Sequence, residues 1–390
     1  MRRVETVIVG GGPAGAATAC GLAHLGREVV VVERAHGPHH KVCGEFLSIE
    51  TQSHLHRLGI NPAALGAVEI DRITVCFLTR EITTVLPFQA LSLSRYRLDD
   101  ALLRRAVSLG AQIKRGVSVR SVRAAGDGWT VSCDDAETFH GRRLVLATGK
   151  WGMRGLSDAR DSSLVGLKMH LRVPSDVRDA LAGRVKLALL HRSYAGLQLV
   201  EDGIANLCML LPHAVVGRVG RDWQATSDYL AAEAPKLAEQ LIGAEPLWNK
   251  AIAVVCPTRG HLHHGDEPAV YRVGDRLAHI PPFTGDGIAI ALGSAALAVE
   301  FIREDRAATV YLAAARQLTG KAIRLASIVS DLAVTRAGSW LLLNAAAHAP
   351  ELIRDIAQRT RLPSPSAITG SRRPLRKSWS LWRRNGARRY

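Results

Sequence analysis

Val7–Ala19 reads VIVGGGPAGAATA, and this stretch decides the fold. Val4 to Val9 is a continuous apolar run, as expected for a parallel strand buried on both faces. Three glycines and Pro13 follow, then small residues that suit a helix from about Ala14 to Leu25, ended by Gly26. REVVVVER is the next strand, so the whole unit has the size of one βαβ. Gly10, Gly12 and Gly15 fall at the strand-to-helix turn with G-x-G-x-x-G spacing. Gly10 permits the tight turn, Gly12 lets backbone approach a pyrophosphate, and Gly15 lets helix pack on strand. The helix, entered through Pro13 and Ala14, aims unpaired N–H groups and a positive dipole at the phosphates. Glu33, with Arg34 beside it, closes the second strand, where an acid accepts from ribose hydroxyls.

Outward from this turn the α/β pattern continues. DDALLRRAVSLGAQI reads as a helix stopping at Gly110, and GVSVRSVRAAGDGWTVSC as a hairpin turning at Gly126–Asp127–Gly128. RRLVLATG is a buried strand running into a glycine loop. From Val165 to about Val255 short alternating segments such as GLKMHLRV, YAGLQLVE and GIANLCMLL suggest an antiparallel sheet, followed by helical DWQATSDYLAAEAPKLAEQLI. At YRVGDRLAHIPPFTGDGIAIALGSAALAVEFI the strand, loop and long helix pattern returns. The first domain is interrupted by a second and then completed.

Composition narrows the class. The 390 residues are 47% apolar and 22% charged, ordinary for a globular chain, with a net charge of +16. Eight basic residues (Arg372, Arg373, Arg376, Lys377, Arg383, Arg384, Arg388 and Arg389) lie beyond Ser371 with no acid among them. Basicity concentrated in a tail differs from the groove of a nucleic-acid enzyme, so no nucleic-acid partner is expected. Six scattered cysteines without a C-x-x-C pair fit a reduced, cytoplasmic chain. The basic start and short apolar run imitate an export signal, but glycines interrupt the run. No span of eighteen apolar residues lacks charge, so no membrane-crossing helix is expected. SWLLLNAAAHA either packs on the core or lies at a membrane surface. The tail, with Trp379 and Trp382 among its arginines, is either solvated and disordered or bound to an anionic lipid surface.

A second motif selects the dinucleotide. Gly274, Asp275, Pro282, Gly285, Asp286 and Gly287 lie in GDRLAHIPPFTGDGIAIAL, the last glycines opening a long helix at Ile288. This resembles the distal flavin-binding motif of the para-hydroxybenzoate-hydroxylase-like flavoproteins, particularly the geranylgeranyl-reductase-like oxidoreductases. The resemblance implies FAD, with Asp275 on the ribityl chain and the helix near Gly287 aimed at the flavin pyrimidine. It further implies Thr148 and Gly149 in the loop beside the dinucleotide, Arg95 near the flavin, Val119 at adenine, and Cys43–Gly44 beside the isoalloxazine. Cys43 is either an active-site residue or a filler thiol.

The substrate half departs from the family. Prenyl reductases carry tyrosine-x-tryptophan-x-phenylalanine-proline before an asparagine-containing strand. Here Tyr194 and Asn206 survive, while Gly196, Gln198 and Leu199 take the other places. The halogenase tryptophan-x-tryptophan-x-isoleucine-proline motif is absent. So is the hydroxylases' aspartate–glycine pair after the ATG loop; Lys150, Trp151 and Arg154 stand there, so NAD(P)H binds differently or another donor supplies electrons. His170, on an alternating strand, is a pocket candidate. The histidines of HGPHH and HLHHG read as solvent-exposed, and no metal site is expected.

These readings give an α/β fold: a Rossmann-like FAD-binding domain (1–75, 95–160 and 265–320) interrupted by an antiparallel-sheet substrate domain (76–94 and 161–264). C-terminal helices (321–362) and a basic, disordered tail (363–390) complete it. The expected function is an FAD-dependent oxidoreductase that reduces or dehydrogenates a C–C bond in an apolar, lipid-like or secondary-metabolite substrate. Cys43, His170 and Tyr194 are the catalytic candidates, with NAD(P)H a candidate donor and no stable protein partner. The alternatives are a flavin monooxygenase, hydroxylating or epoxidising through a C4a-hydroperoxide, and a membrane-peripheral flavin-binding protein without catalysis.

Overall fold

The computed structural model of the chain describes residues 1–150, 164–257, 260–263, 270–349 and 351–363. Two large sheets organise it. The first opens with β1 (Arg2–Val9), α1 (Pro13–His24) and β2 (Val29–Glu33). β1 and β2 pair in parallel, Val7 opposite Val30 and Val9 opposite Val32. All five residues of β2 are buried, which explains a run of valines in place of alternation. The chain then crosses to the second sheet through β3 (Phe46–Leu47), α2 (Ile49–Arg57), β4 (Val68–Phe77) and β5 (Arg80–Ser92). It returns with α3 (Arg95–Ser108), β6 (Gln112–Arg115), β7 (Val119–Ala125), β8 (Gly128–Cys133) and β9 (Thr138–Leu146). The first sheet runs β6-β2-β1-β9-β8-β7.

The second sheet continues with β10 (Leu164–Arg172), α4 (Ser175–Leu181), β11 (Gly183–Leu190), β12 (Ser193–Leu199) and β13 (Ala205–Pro212). Next come α5 (His213–Val219), α6 (Trp223–Glu233), α7 (Pro235–Ala238), β14 (Glu245–Pro246) and β15 (Ile252–Cys256). Pro235 lacks the N–H that would continue α6, so α7 starts afresh at it. Leu230 and Leu237 bury themselves against Leu167, Met169 and Leu171, covering one face of the sheet.

The order here is β14-β10-β13-β12-β11-β4-β5-β3, with β15 also on β10. Two sequence-based expectations change. β3 and β4 already belong to this sheet, so it begins before residue 76. Nor is it wholly antiparallel: β11 runs parallel to β4, Val75 opposite Leu187. Strands joined through a whole returning domain are not bound to hairpin geometry, so a parallel pairing is open to them.

The last segment holds β16 (His261–Leu262), β17 (Val270–Arg272) and β18 (Ala278–His279), then α8 (Gly287–Arg303), α9 (Ala308–Ala333), α10 (Arg336–His348) and α11 (Glu351–Arg359). β17 rejoins the first sheet beside β9. α8 packs on α1 so closely that a Cβ at Gly21 would lie 2.7 Å from Val299. α9 runs unbroken through residue 320, where the sequence reading had placed a boundary. Among the described residues no helix is long and apolar enough to cross a membrane.

Candidate active site

Backbone shape builds the first part of the site. Gly10 has φ +102°, and a Cβ there would lie 2.5 Å from the Ala147 carbonyl oxygen. At Gly15 it would lie 1.9 Å from the Gly10 carbonyl oxygen, so only glycine fits. Gly12 caps α1 without a side-chain bond, and Pro13 begins the helix. The first-turn amides are therefore available to an anion. Glu33 ties the turn, accepting from the Gly11 amide at 2.6 Å and the Ala35 amide at 2.9 Å. Arg95 reaches over Gly12, its Nη2 3.7 Å from where a Cβ would stand. Its guanidinium grips Asp99 at 2.6 and 2.8 Å, and Lys41 joins Asp99 at 2.9 Å. Burial alone would raise the Asp99 carboxyl, but these two cations hold it below the usual range.

The distal motif meets this cradle. A Cβ at Gly274 (φ +60°) would lie 2.9 Å from the Ala14 Cβ, so Gly274–Asp275 stands against the start of α1. Gly285 (φ +74°) abuts Phe46, two residues beyond Gly44. Asp286 caps α8; its carboxylate oxygens lie 2.8 and 2.9 Å from the Arg361 guanidinium. Burial pushes Asp286 up to about 7 against that pull. A group titrating there cancels less of the helix dipole than a permanent carboxylate would. Open space surrounds Gly287 and Gly149.

Between the motifs lies the Cys43–Glu45 loop, held by the second sheet in register. His170, Asn206 and Gln198 sit opposite one another on β10, β13 and β12, so their side chains share one face. Asn206 Nδ2 donates to the Cys43 and Gly44 carbonyls at 3.2 and 3.1 Å, and Gln198 Nε2 to Gly44 at 2.8 Å. Glu45 is fully buried with φ +60°. It accepts from His170 Nε2 at 2.9 Å, from the Arg95 amide at 2.7 Å, and from the Lys168 ammonium. Burial would raise its carboxyl; the His170 bond and Lys168 charge outweigh that and keep it ionised.

The next rows of the same face are Lys168, Cys208, Gly196 and Leu187, then Gly166, Leu210, Tyr194 and Leu189. These rows and the C-terminal helices enclose a cavity of about 200 Å³, partly open and overwhelmingly apolar. Cys43, Gly44, Pro282 and Gly285 form its flavin-motif end; Lys150 and Arg361 are its charged residues. Lys150 Nζ donates to Cys256 Sγ at 3.2 Å. Tyr194 stands edge-on to Phe283 at 5.9 Å, and burial pushes its phenol well above its usual range. Asn206 Oδ1 is buried without a hydrogen-bond partner among the described residues.

Thus the structure brings together Gly10, Gly12, Pro13, Ala14, Gly15, Glu33 and Arg95 on one side. Cys43, Gly44, Gly274, Asp275, Pro282, Gly285, Asp286, Gly287 and Ile288 meet them. Thr148 and Gly149 follow Ala147, the residue abutting Gly10, and Arg34 is exposed just past β2. Val119 is a correction: it pairs with Cys133 in the β7–β8 ladder. Val117, whose amide donates to the Glu33 carbonyl at 3.2 Å, is the valine at the strand end. His170 is a second correction. It is 3% exposed, bonded to Glu45 behind the loop, and does not line the cavity.

His40 is not a solvated loop histidine either. It packs between Tyr96 at 5.0 Å and Trp248 at 4.7 Å, and burial with the neighbouring cations pushes it down to about 4. His40, Glu45 and His170 place donor atoms within 4.8 Å of one another, but a metal ion there would face the Lys168 ammonium. His263 is also buried, its amide donating to Leu277 at 2.8 Å. Trp151 and Arg154 lie outside the described residues. Sequence reasoning missed Glu45, Lys168 and Arg361; only the period-two spacing of Gly166, Lys168 and His170 signalled one of them.

Paired glycine turns at two helix N-termini, converging beside an apolar cavity, define a dinucleotide-dependent flavoprotein. Comparison with known proteins narrows this. Residues 3–155 match the family described as FAD binding domain. A menaquinone reductase of Mycolicibacterium smegmatis is 24% identical over 326 residues, 77% of this chain and 76% of that protein. A flavin-dependent halogenase of Armillaria mellea is 30% identical over 163 residues, 38% of this chain and 31% of that protein. Among solved structures, the flavin-dependent brominase Bmp2 has a TM-score of 0.77 at 16% identity, covering 94% of this chain and 97% of that one. The myxobacterial chondrochloren halogenase CndH has 0.71 at 17%, covering 94% and 92%. The chain is an FAD-dependent oxidoreductase of the para-hydroxybenzoate-hydroxylase-like superfamily.

Proposed function

We propose that this enzyme reduces or dehydrogenates a C–C bond in an apolar, lipid-like molecule, a menaquinone-like compound being the first candidate. One observation carries the reading: the apolar cavity of about 200 Å³ ends at the Cys43–Gly44 loop and Gly285. The similarity to a menaquinone reductase over most of both chains supports the substrate class. Bound FAD supplies two-electron chemistry. Gly10, Gly12, Gly15 and Glu33 would hold its adenosine and pyrophosphate, Arg95 and Asp275 its middle, and the α8 N-terminus its pyrimidine edge.

The chain's own residues do the rest. Asn206 and Gln198 fix the loop carbonyls, keeping the Cys43–Gly44 backbone close to the cavity floor. Tyr194 and Phe283 wall the cavity and exclude water. Lys150 keeps a proton at Nζ, where it can complete the reduction of a substrate carbon. Asn206 Oδ1 offers one acceptor to orient a substrate hydroxyl or N–H.

The test begins with purified protein, which should be yellow or take up added FAD. Enzyme reduced anaerobically with NADH, NADPH or dithionite is then mixed with a short-chain menaquinone, and separately with oxygen. Rapid flavin reoxidation by the quinone with a reduced lipid product supports the proposal. A long-lived oxygenated flavin phase, with oxygen incorporated into product, would establish the monooxygenase reading in its place.

A further inference from the structure

The helical wall of the cavity is apolar on both sides. Val329 of α9, Leu342, Leu343 and Ala346 of α10, and Ile353 of α11 face inward. On the outside, Ile328 and Leu332 of α9 are 61% and 38% exposed, and Trp340 and Leu341 of α10 are 57% and 54% exposed. These four residues flank a single helix–helix turn. Thr335 caps α10 by accepting from the Gly338 amide, and Leu332 packs against that same glycine, its Cδ1 2.8 Å from where a Cβ would stand. A tryptophan and three large aliphatic side chains turned outward around one turn form the kind of patch that marks an interaction site.

Charge identifies the occupant. Lys321, Arg324 and Arg336 are exposed around the patch, and Asp331 is the sole acid from Lys321 to Ala349. The chain carries +16 overall, and its last twenty residues add Trp379, Trp382 and eight cations. A second copy would bring like charge to the same face. An anionic bilayer would meet the cations with phosphate and the apolar residues with acyl chains, and tryptophan favours that boundary.

We propose that the α9–α10 turn is a membrane-docking face that seats the enzyme on an anionic lipid surface. Ile328, Leu332, Trp340 and Leu341 enter the interface, and Lys321, Arg324 and Arg336 contact headgroups. The cavity then lies one helix behind the lipid. The suggestion that substrate arrives from that lipid rests on the function proposed above; docking itself does not.

Co-sedimentation with vesicles tests it, using phosphatidylcholine alone and phosphatidylcholine with phosphatidylglycerol. Three full-length proteins are compared: wild type, Trp340→Ser/Leu341→Ser, and a tail variant carrying R383Q, R384Q, R388Q and R389Q. The wild type should bind the anionic vesicles, and high salt should weaken binding. The Trp340/Leu341 variant should lose about tenfold or more in partitioning, with flavin content and quinone turnover in detergent unchanged. The tail variant should lose less. Equal binding by wild type and the Trp340/Leu341 variant overturns the proposal. So does complete loss in the tail variant alone, or a wild-type dimer by light scattering that the Trp340/Leu341 substitutions dissociate. Loss of turnover with vesicle binding intact would count against the proposed function and leave docking standing.

Discussion

The cradle around Gly10–Gly15 and the sheet face around Gly196 both rely on glycine, for opposite reasons. At Gly10 and Gly15 the missing Cβ would collide with carbonyl oxygens, at 2.5 and 1.9 Å. At Gly196 the nearest atoms are 3.8 and 4.0 Å away, ordinary van der Waals distance. In the first region backbone excludes any side chain, so the residue is a condition of the fold. In the second the glycine leaves room in a cavity, so it governs what binds. Substitution should separate the two.

Gly15→Ala should show the largest effect. Its new methyl can be placed only by moving the turn or α1, and relieving such overlap costs roughly 3 kcal/mol or more. We expect a large fall in the urea midpoint and almost no bound flavin. A Gly15→Ala protein that purifies yellow with a wild-type midpoint would erase the distinction between the regions.

Glu45→Gln comes next, because it acts at their junction. The substitution leaves Lys168, itself fully buried, without its carboxylate. Breaking a buried pair by removing one partner costs about 3–5 kcal/mol. Adding Lys168→Met should recover part of the loss, since an apolar replacement removes the stranded charge. Urea denaturation of the single and double variants measures the coupling. If Glu45→Gln alone is neutral, the Cys43–Glu45 loop is not held by this pair.

The same contrast explains what was readable in the sequence. Gly10, Gly12, Gly15 and Gly285 were legible because a backbone turn at a helix N-terminus admits few residues, so chemistry and position coincide. Glu45 was not, because its partners Lys168 and His170 lie 123 and 125 residues away. Alternation in GLKMHLRV put His170 on the inward face of β10, yet nothing local showed that a carboxylate comes to meet it and withdraws it from the cavity. Val119 was misplaced by two residues because the strand it was assigned from contains an irregularity between Val119 and Ser121. Gln198 looked like a replaced aromatic wall; register across three strands makes it a clamp on Gly44.

A smaller effect is expected where α2 meets α8 on the flavin side. Burial pushes His54 down to about 4, and it is 8% exposed. A base depressed on folding gives stability that is complete above its unfolded value near 6.5 and is lost as pH falls toward 4. Its share is at most about 3 kcal/mol. His40 adds the same sign from a half-exposed position. The urea midpoint should fall between pH 6.5 and 4, and His54→Gln should flatten that fall. An unchanged pH slope in the variant would remove His54 from the account.

Gly196→Phe should disturb stability least and function most selectively. The ring would extend from β12 into the cavity, in the row shared with Cys208 and Leu187, and displace no backbone. Stability should stay within about 1 kcal/mol, because the space is already open and apolar. Flavin content should not change, since Gly10, Gly15 and Gly285 are untouched. Turnover of a long apolar substrate should suffer through KM, roughly tenfold, while a smaller analogue that ends short of β12 keeps its KM. Equal losses for both substrates would mean that the cavity is not where the apolar molecule lies; loss of flavin would mean that Gly196, like Gly15, belongs to the fold.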